Sequence, residues 1–207
     1  MSKKFSLAKK LLFFCLVSYT FVVFAQKNKT IFDILLENNE SMDLETALKK
    51  NPKSVNLEDK KWSTPLYLSV QRNQVETTNL LLKHGANVNQ ILSDHENQTV
   101  IFHVNSESGN KLNTDNFEIL KLLIESKADI DFKDKYGRTP LFIFAEKNQL
   151  KLIDYLLEKG ANINSKDNSG KTVLDAVSNQ FFKADFPQSD LQNILIKKGA
   201  KKGADLK

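Results

Sequence analysis

The chain has 207 residues, with 30 Lys and Arg against 25 Asp and Glu and a single cysteine. Four of the lysines and none of the acids fall in residues 1–25, so the remainder is near balance, 26 basic against 25 acidic. That balance removes any case for nucleic acid from global charge, and one cysteine excludes a disulfide framework.

The first 25 residues stand apart. Lys3, Lys4, Lys9 and Lys10 form a positive start, an apolar run follows from Leu11 to Ala25, and Val23-Phe24-Ala25 offers a cut before Gln26. This order of features predicts a secretory signal peptide over residues 1–25. The alternative is an uncleaved anchor, but spanning a bilayer takes about 20 apolar residues. The run from Leu11 to Ala25 falls short of that and holds Ser18, Tyr19 and Thr20. Cleavage, and hence no stable membrane insertion, is the expectation. Phe13 and Phe14 occupy positions where a lipoprotein needs small residues, so Cys15 leaves with the leader and the mature chain has no thiol chemistry. The expected location is therefore exported, periplasmic or secreted. The Lys-, Asn- and Phe-rich composition points to a bacterial source.

Beyond the leader the chain repeats itself. Taking a threonine as origin, copies begin at Thr30, Thr64, Thr99, Thr139 and Thr172, with the widest gap between Thr99 and Thr139. Thr64-Pro65-Leu66 and Thr139-Pro140-Leu141 open the two clearest copies, and Gly85-Ala86 and Gly160-Ala161 close them. The interval from threonine to the glycine position is the same in three copies, Thr30 to Asn51, Thr64 to Gly85 and Thr139 to Gly160. It is longer from Thr99 to Lys127 and from Thr172 to Gly199, so the third and fifth copies carry insertions near Asn105–Asn116 and Asn179–Asp190. Proline after threonine suits a helix start, the hydroxyl suits an N-cap, and glycine suits a left-handed stop. Asn73 and Asn148 stand where a turn between helices needs a similar conformation. Leu150, Ile153, Leu156 and Leu157, matched by Phe117, Leu120, Leu123 and Ile124, have the spacing of a second helix. Asp59, Asp94, Asp134 and Asp167 each lie five positions before their threonine, as turn-initiating side chains would. Asp129 and Asp131, a carboxylate pair, stand where Asn162 and Asn164 stand in the next copy, so a turn role is expected of them.

A period of about 33 residues with these two ends resembles the ankyrin repeat. The resemblance covers residues 30–202, as copies over 30–56, 57–89, 90–131, 132–164 and 165–202, with 203–207 as a tail. It implies an all-α solenoid of about five stacked helix–turn–helix repeats with finger turns. Some positions depart from the pattern. Trp62 and Asn97 replace a finger glycine, Val100 and Val173 replace proline, and Tyr67, Phe102, Phe142 and Asp175 replace the usual histidine. Stray end copies suit capping repeats: acidic at Asp33, Glu37, Glu40, Asp43 and Glu45, basic at Lys197, Lys198, Lys201, Lys202 and Lys207.

The resemblance further implies a non-catalytic module that binds another protein on a concave face of fingers and first helices. The matching positions are Lys60, Lys61, Trp62, Ser63, Gln71 and Arg72; His95, Glu96 and Gln98; Lys135, Tyr136, Arg138, Glu146 and Lys147; and Asn168, Ser169 and Lys171. Trp62 leads the candidates, since tryptophan and arginine are enriched in interface hot spots. Folding of Trp62 back over the gap between repeats is its alternative. Tyr136 and Arg138 come second, with Lys60, Lys61, Arg72, His95, Lys135, Lys147 and Lys171 as further contacts. The basic excess there opens a second reading, binding of an anionic polymer or membrane surface; a solvated face is the plain one. Phe181, Phe182 and Phe186 in the last insertion either tuck under the final helix or form an apolar patch.

No catalytic motif appears. His84, His95 and His103 lack ligand spacing, so no metal and no cofactor are expected, and an enzyme with an unrecognised site is the least favoured reading. A monomer is expected. Asn28, Asn39 and Asn97 begin glycan-acceptor triplets, relevant only in a eukaryotic secretory path.

Overall fold

The structure, a computed structural model, describes residues 30–36, 41–59, 63–92, 95–104, 114–179 and 188–206. The leader, Lys60, Lys61, Trp62, Asp94, most of the third-copy insertion and the Phe181, Phe182 and Phe186 segment lie outside the described residues. The chain divides into two compact units, residues 1–51 and 52–207.

In the first unit, α1 (Ile31–Leu36) packs against α2 (Ser41–Lys50). Thr30 and Asp33 cap α1 reciprocally: the Thr30 hydroxyl accepts from the Asp33 N–H at 3.2 Å, and the Asp33 carboxylate accepts from the Thr30 N–H at 2.9 Å. Ile31, Ile34, Leu35, Leu44 and Leu48 are buried.

The second unit begins with a 3-10 turn (Pro52–Asn56) and continues as α3 (Pro65–Gln71), α4 (Val75–Lys83), a 3-10 turn (Val100–His103) and α5 (Thr114–Glu125). Then come α6 (Pro140–Glu146), α7 (Leu150–Glu158), α8 (Val173–Asn179), α9 (Gln188–Lys197) and a 3-10 turn (Gly203–Asp205). Among the described residues there is no strand, only an isolated bridge between Leu92 and Gln98.

Two layers result. The short first helices lie side by side, α3 against the turn at 100–103, that turn against α6, and α6 against α8; the second helices α4, α5 and α7 form the other layer. The first layer is nearly apolar all round, because neighbours cover it on both flanks and its own second helix covers a third side. Leu141, Phe142, Ile143, Phe144 and Ala145 are all buried. In the second helices the buried sets are Ile119, Leu120, Leu123 and Leu152, Ile153, Leu156. The stripe is thus rotated from the expected one. Phe117, Ile124, Leu150 and Leu157 fall outside it, all four half-buried. Phe117 meets Tyr155 of the neighbouring second helix at 4.9 Å between ring centroids.

Proline stands at the start of both α3 and α6, and the Thr64 hydroxyl accepts from the Tyr67 N–H at 3.0 Å. Thr139 and Thr99 make no such cap. The third copy also departs from the expected helix pair, because its first element is only the turn at 100–103. Val100, Ile101 and Val104 are β-branched, start without proline and precede the insertion, so a short tight turn buries them without a full helix.

Left-handed positions fall as expected: Asn73 at φ 59°, Asn148 at φ 53°, and Gly85, Gly160 and Gly199 at φ 85°, 92° and 93°. Lys127 takes the same place at φ 69° with a side chain that disfavours it.

One side chain per copy stitches each loop to the next. Asn56 donates to the Gly85 carbonyl at 3.1 Å and accepts from the Asn87 N–H at 2.7 Å. Asn89 does the same for the Lys127 carbonyl and the Asp129 N–H at 2.9 and 2.8 Å, and Asn164 for the Gly199 carbonyl and the Lys201 N–H at 3.2 and 2.8 Å. Asp131 holds this place between them and accepts from the Asn162 N–H at 2.9 Å, but a carboxylate has no N–H for the Gly160 carbonyl. Asn87, Asp129 and Asn162 close the local turn by accepting from the N–H two residues on. The Asp129 and Asp131 pair therefore serves turn and stitch.

The fingers are closed by aspartate. Asp59 accepts from the Ser63 N–H at 2.9 Å, Asp134 from those of Tyr136 and Arg138 at 2.9 Å each, and Asp167 from those of Ser169 and Lys171 at 2.8 Å each. Residues 203–206 are docked on the last finger. The Gly203 N–H donates to Asp175, the Lys201 carbonyl accepts from the Thr172 hydroxyl at 2.6 Å, and the Leu206 carbonyl accepts from Lys166 at 2.9 Å. Asp175, at a position where histidine is usual, also accepts from the Thr172 N–H at 2.9 Å. Burial raises the Asp175 carboxyl, but these hydrogen bonds outweigh it and hold the pKa below the ordinary range.

Two stability tests follow from this geometry. Lys127→Gly relieves a left-handed side chain at a site where the equivalent glycines have open space around them, and stability should rise by about 1 kcal/mol in urea titration. Asn89→Ala removes two links between copies and should lower stability by about 2 kcal/mol in the same assay.

Candidate functional site

The expected contact residues in the described part of the second unit lie on the finger turns and at the ends of first helices. Arg72 follows α3 and is exposed, Lys147 follows α6 and is exposed, and Lys135, Tyr136 and Lys171 are exposed on fingers. His95 is half-buried. Lys60, Lys61 and Trp62 fall outside the described residues.

The fourth finger is the best-defined part. Tyr136 is 45% exposed. The Lys135 ammonium lies 4.8 Å from its ring centroid and the Arg138 guanidinium 4.7 Å, so two cations hold one ring. The Asp134 carboxylate, buried at the root of the finger, fixes Arg138 through Nε at 3.0 Å and Nη2 at 2.8 Å. The same Nη2 reaches Glu96 of the third finger at 2.7 Å, and Nη1 is 3.9 Å from Glu146 at the end of α6. Lys135 also faces Glu96, at 3.8 Å. Burial opposes the Arg138 charge, but the hydrogen bond and charge of Asp134, with Glu146 and Glu96, keep its pKa above the ordinary value. Burial pushes the Glu146 carboxyl up while Arg138 pulls it down, and burial prevails.

Those contacts change the electrostatic picture. Two of the basic residues counted along the sequence are paired at this finger, where Arg138 and Lys135 meet Asp134, Glu96 and Glu146. What remains outward is an aromatic ring set in a polar frame.

The third finger turns at residues 95–98, where Glu96 and Asn97 have φ of 58° and 56° and the Gln98 N–H donates to the His95 carbonyl at 2.9 Å. Paired positive φ values mark a primed turn, normally built on Asn-Gly. Glu96 in that place costs about 1 kcal/mol. Its pairing with Arg138 and the Lys135 N–H donating to its carbonyl at 2.9 Å offset the strain.

Behind this turn lies a cluster that ligand spacing did not suggest. The rings of Tyr67, His95 and His103 lie 4.5 to 5.2 Å apart, centroid to centroid. The register held the signal: Tyr67 is three positions after its threonine and His103 four after the next, so neighbouring first elements place them together. Nε2 of both histidines is buried without a hydrogen-bond partner. Burial, then the charges of His95 and Lys147, lower the His103 pKa to about 3, and burial raises that of Tyr67. His84 sits at the C-cap of α4, away from this group in sequence and element. Among the described residues no three His, Cys, Asp or Glu are grouped to hold a metal, and no helix is long and apolar enough to cross a membrane.

Two family models match the chain: one described as ankyrin repeats in three copies, over residues 110–205, and one as a single ankyrin repeat, over residues 62–91. No curated protein matches it.

The Arg138 network yields a prediction. Arg138→Ala leaves the buried Asp134 carboxylate without its charged donor and should cost about 2 kcal/mol of stability by thermal or urea unfolding. Arg138→Lys, with one point charge in place of a planar fork, should recover only part of that loss.

Proposed function

Since this chain belongs to the ankyrin-repeat family, whose repeats are generally protein–protein interaction modules, we propose that it is an exported protein that holds a partner protein on the concave side of its array. Export rests on the basic and apolar leader at residues 1–25.

The observation that carries the binding reading is Tyr136. A ring 45% exposed on a fingertip, held by cations at 4.8 and 4.7 Å, presents apolar area with little freedom left to lose. Rigid aromatic anchors of that kind dominate interface energies, because docking then costs little side-chain entropy. Arg138 supports the ring and ties the third finger to the fourth, so its contribution to binding is inseparable from its contribution to stability. Trp62 remains the other anchor candidate, two copies away in register.

Binding to an anionic polymer or membrane surface depends on a field of unpaired cations. The ion pairs of Lys135 and Arg138 weaken that field at its centre. A partner with an apolar centre fits better than a polyanion. Enzymatic turnover has no arrangement of nucleophile and base on the described fingers to support it.

The test is a pulldown from the native envelope fraction with the mature chain as bait, followed by titration of the captured partner. Tyr136→Ala should weaken the complex by about 2 kcal/mol, roughly thirtyfold in Kd, with little change in melting temperature. Affinity that survives both Tyr136→Ala and Trp62→Ala, or that collapses steeply between low and moderate salt, sinks this reading.

A further inference from the structure

We propose that the Tyr67–His95–His103 cluster is an acid-sensitive latch, which holds the third finger turn against the first-helix layer only while the His103 imidazole is neutral. His95 belongs to the turn at 95–98, His103 to the 3-10 turn at 100–103, and Tyr67 to α3. Ring contacts at 4.5, 4.9 and 5.2 Å are what join the finger to the two neighbouring elements at this point. The Tyr67 hydroxyl is engaged by Gln71, which donates to it at 3.1 Å.

An imidazolium needs acceptors for two N–H groups, and a second proton placed on His103 finds none at Nε2. Among the described residues the surroundings add no compensating charge to His103. From α3 the titratable group is Tyr67, with Arg72 at the helix end; from the turn after α6 it is Lys147; from the finger it is His95. The charges that weigh on His103 are those of His95 and Lys147, and both are positive. Glu96 and Glu146, the nearby acids on the finger and on α6, turn to Arg138.

Proton uptake therefore requires the cluster to part and admit water. The sign follows from the pKa. His103 is held at about 3 in the closed state against an ordinary 6.5 when open. The closed state is fully favoured above pH 6.5 and loses ground as pH falls from 6.5 toward 3. Parting of the rings carries Glu96 away from Arg138, so the fingertip around Tyr136 is remodelled with it.

Hydrogen–deuterium exchange on the full chain, corrected for intrinsic rates, reads this opening. Exchange-competent opening over residues 95–104 should be roughly thirtyfold greater at pH 5 than at pH 7.5. His103→Phe should flatten that increase, and His103→Gln, which also cannot take up the proton, stands in if His103→Phe is unfolded at pH 7.5. An acid response that is absent from the wild type overturns the latch. So does one that is unchanged in a folded histidine variant, or shared equally by residues 150–160.

Discussion

Each second helix of the second unit is followed by a backbone carbonyl that its own repeat does not satisfy, at Gly85, Lys127, Gly160 and Gly199. In three of these four places an asparagine of the preceding copy takes it up while accepting an N–H two residues further on. A lone copy of this length has two short helices and an apolar flank without cover, so it gains a core only from its neighbours. The asparagine bonds fix the register in which that shared core forms. Once register is set, Leu141–Ala145 are enclosed on several sides, and the fingers rise at matching heights on the opposite edge.

The same spacing gives the finger side its character. Asp134 and Asp167 close successive fingers in the same way, which lets the Asn168 N–H meet the Tyr136 carbonyl at 2.9 Å and the Lys135 N–H meet the Glu96 carbonyl. A backbone ladder of this kind leaves side chains free to vary. On that frame the third and fourth fingers acquire an ion network, an exposed tyrosine and, beneath them, three packed rings. They are where this array acquires an individual surface.

Much of the architecture was legible because its determinants are local. Thr64-Pro65, Gly85, Gly160 and the turn aspartates each act within a few residues, and spacing carried them through degenerate copies. Asn73 and Asn148 were readable for the same reason, since a left-handed residue is a local demand. What depended on neighbouring copies was harder to see. The buried stripe of the second helices is rotated because those helices also touch one another, as Phe117 and Tyr155 do. Arg138 read along the chain as a contact for a partner protein, whereas Glu96, 42 residues earlier, is one of the groups it meets. The three rings come from three elements in two copies, so each looked unremarkable in its own segment. The short third first element was concealed by a threonine that keeps the register but lacks the proline.

The docked residues 203–206 bear on how copies of this chain can meet. A ladder of finger backbones offers its last rung to whatever arrives, and an open rung of that kind invites head-to-tail fibres. Here Gly203 sits directly against the Gly170 carbonyl, and only a residue without a Cβ approaches that closely. The edge is already occupied from within the molecule. A second copy approaching end-on would have to displace that plug before it could add another storey.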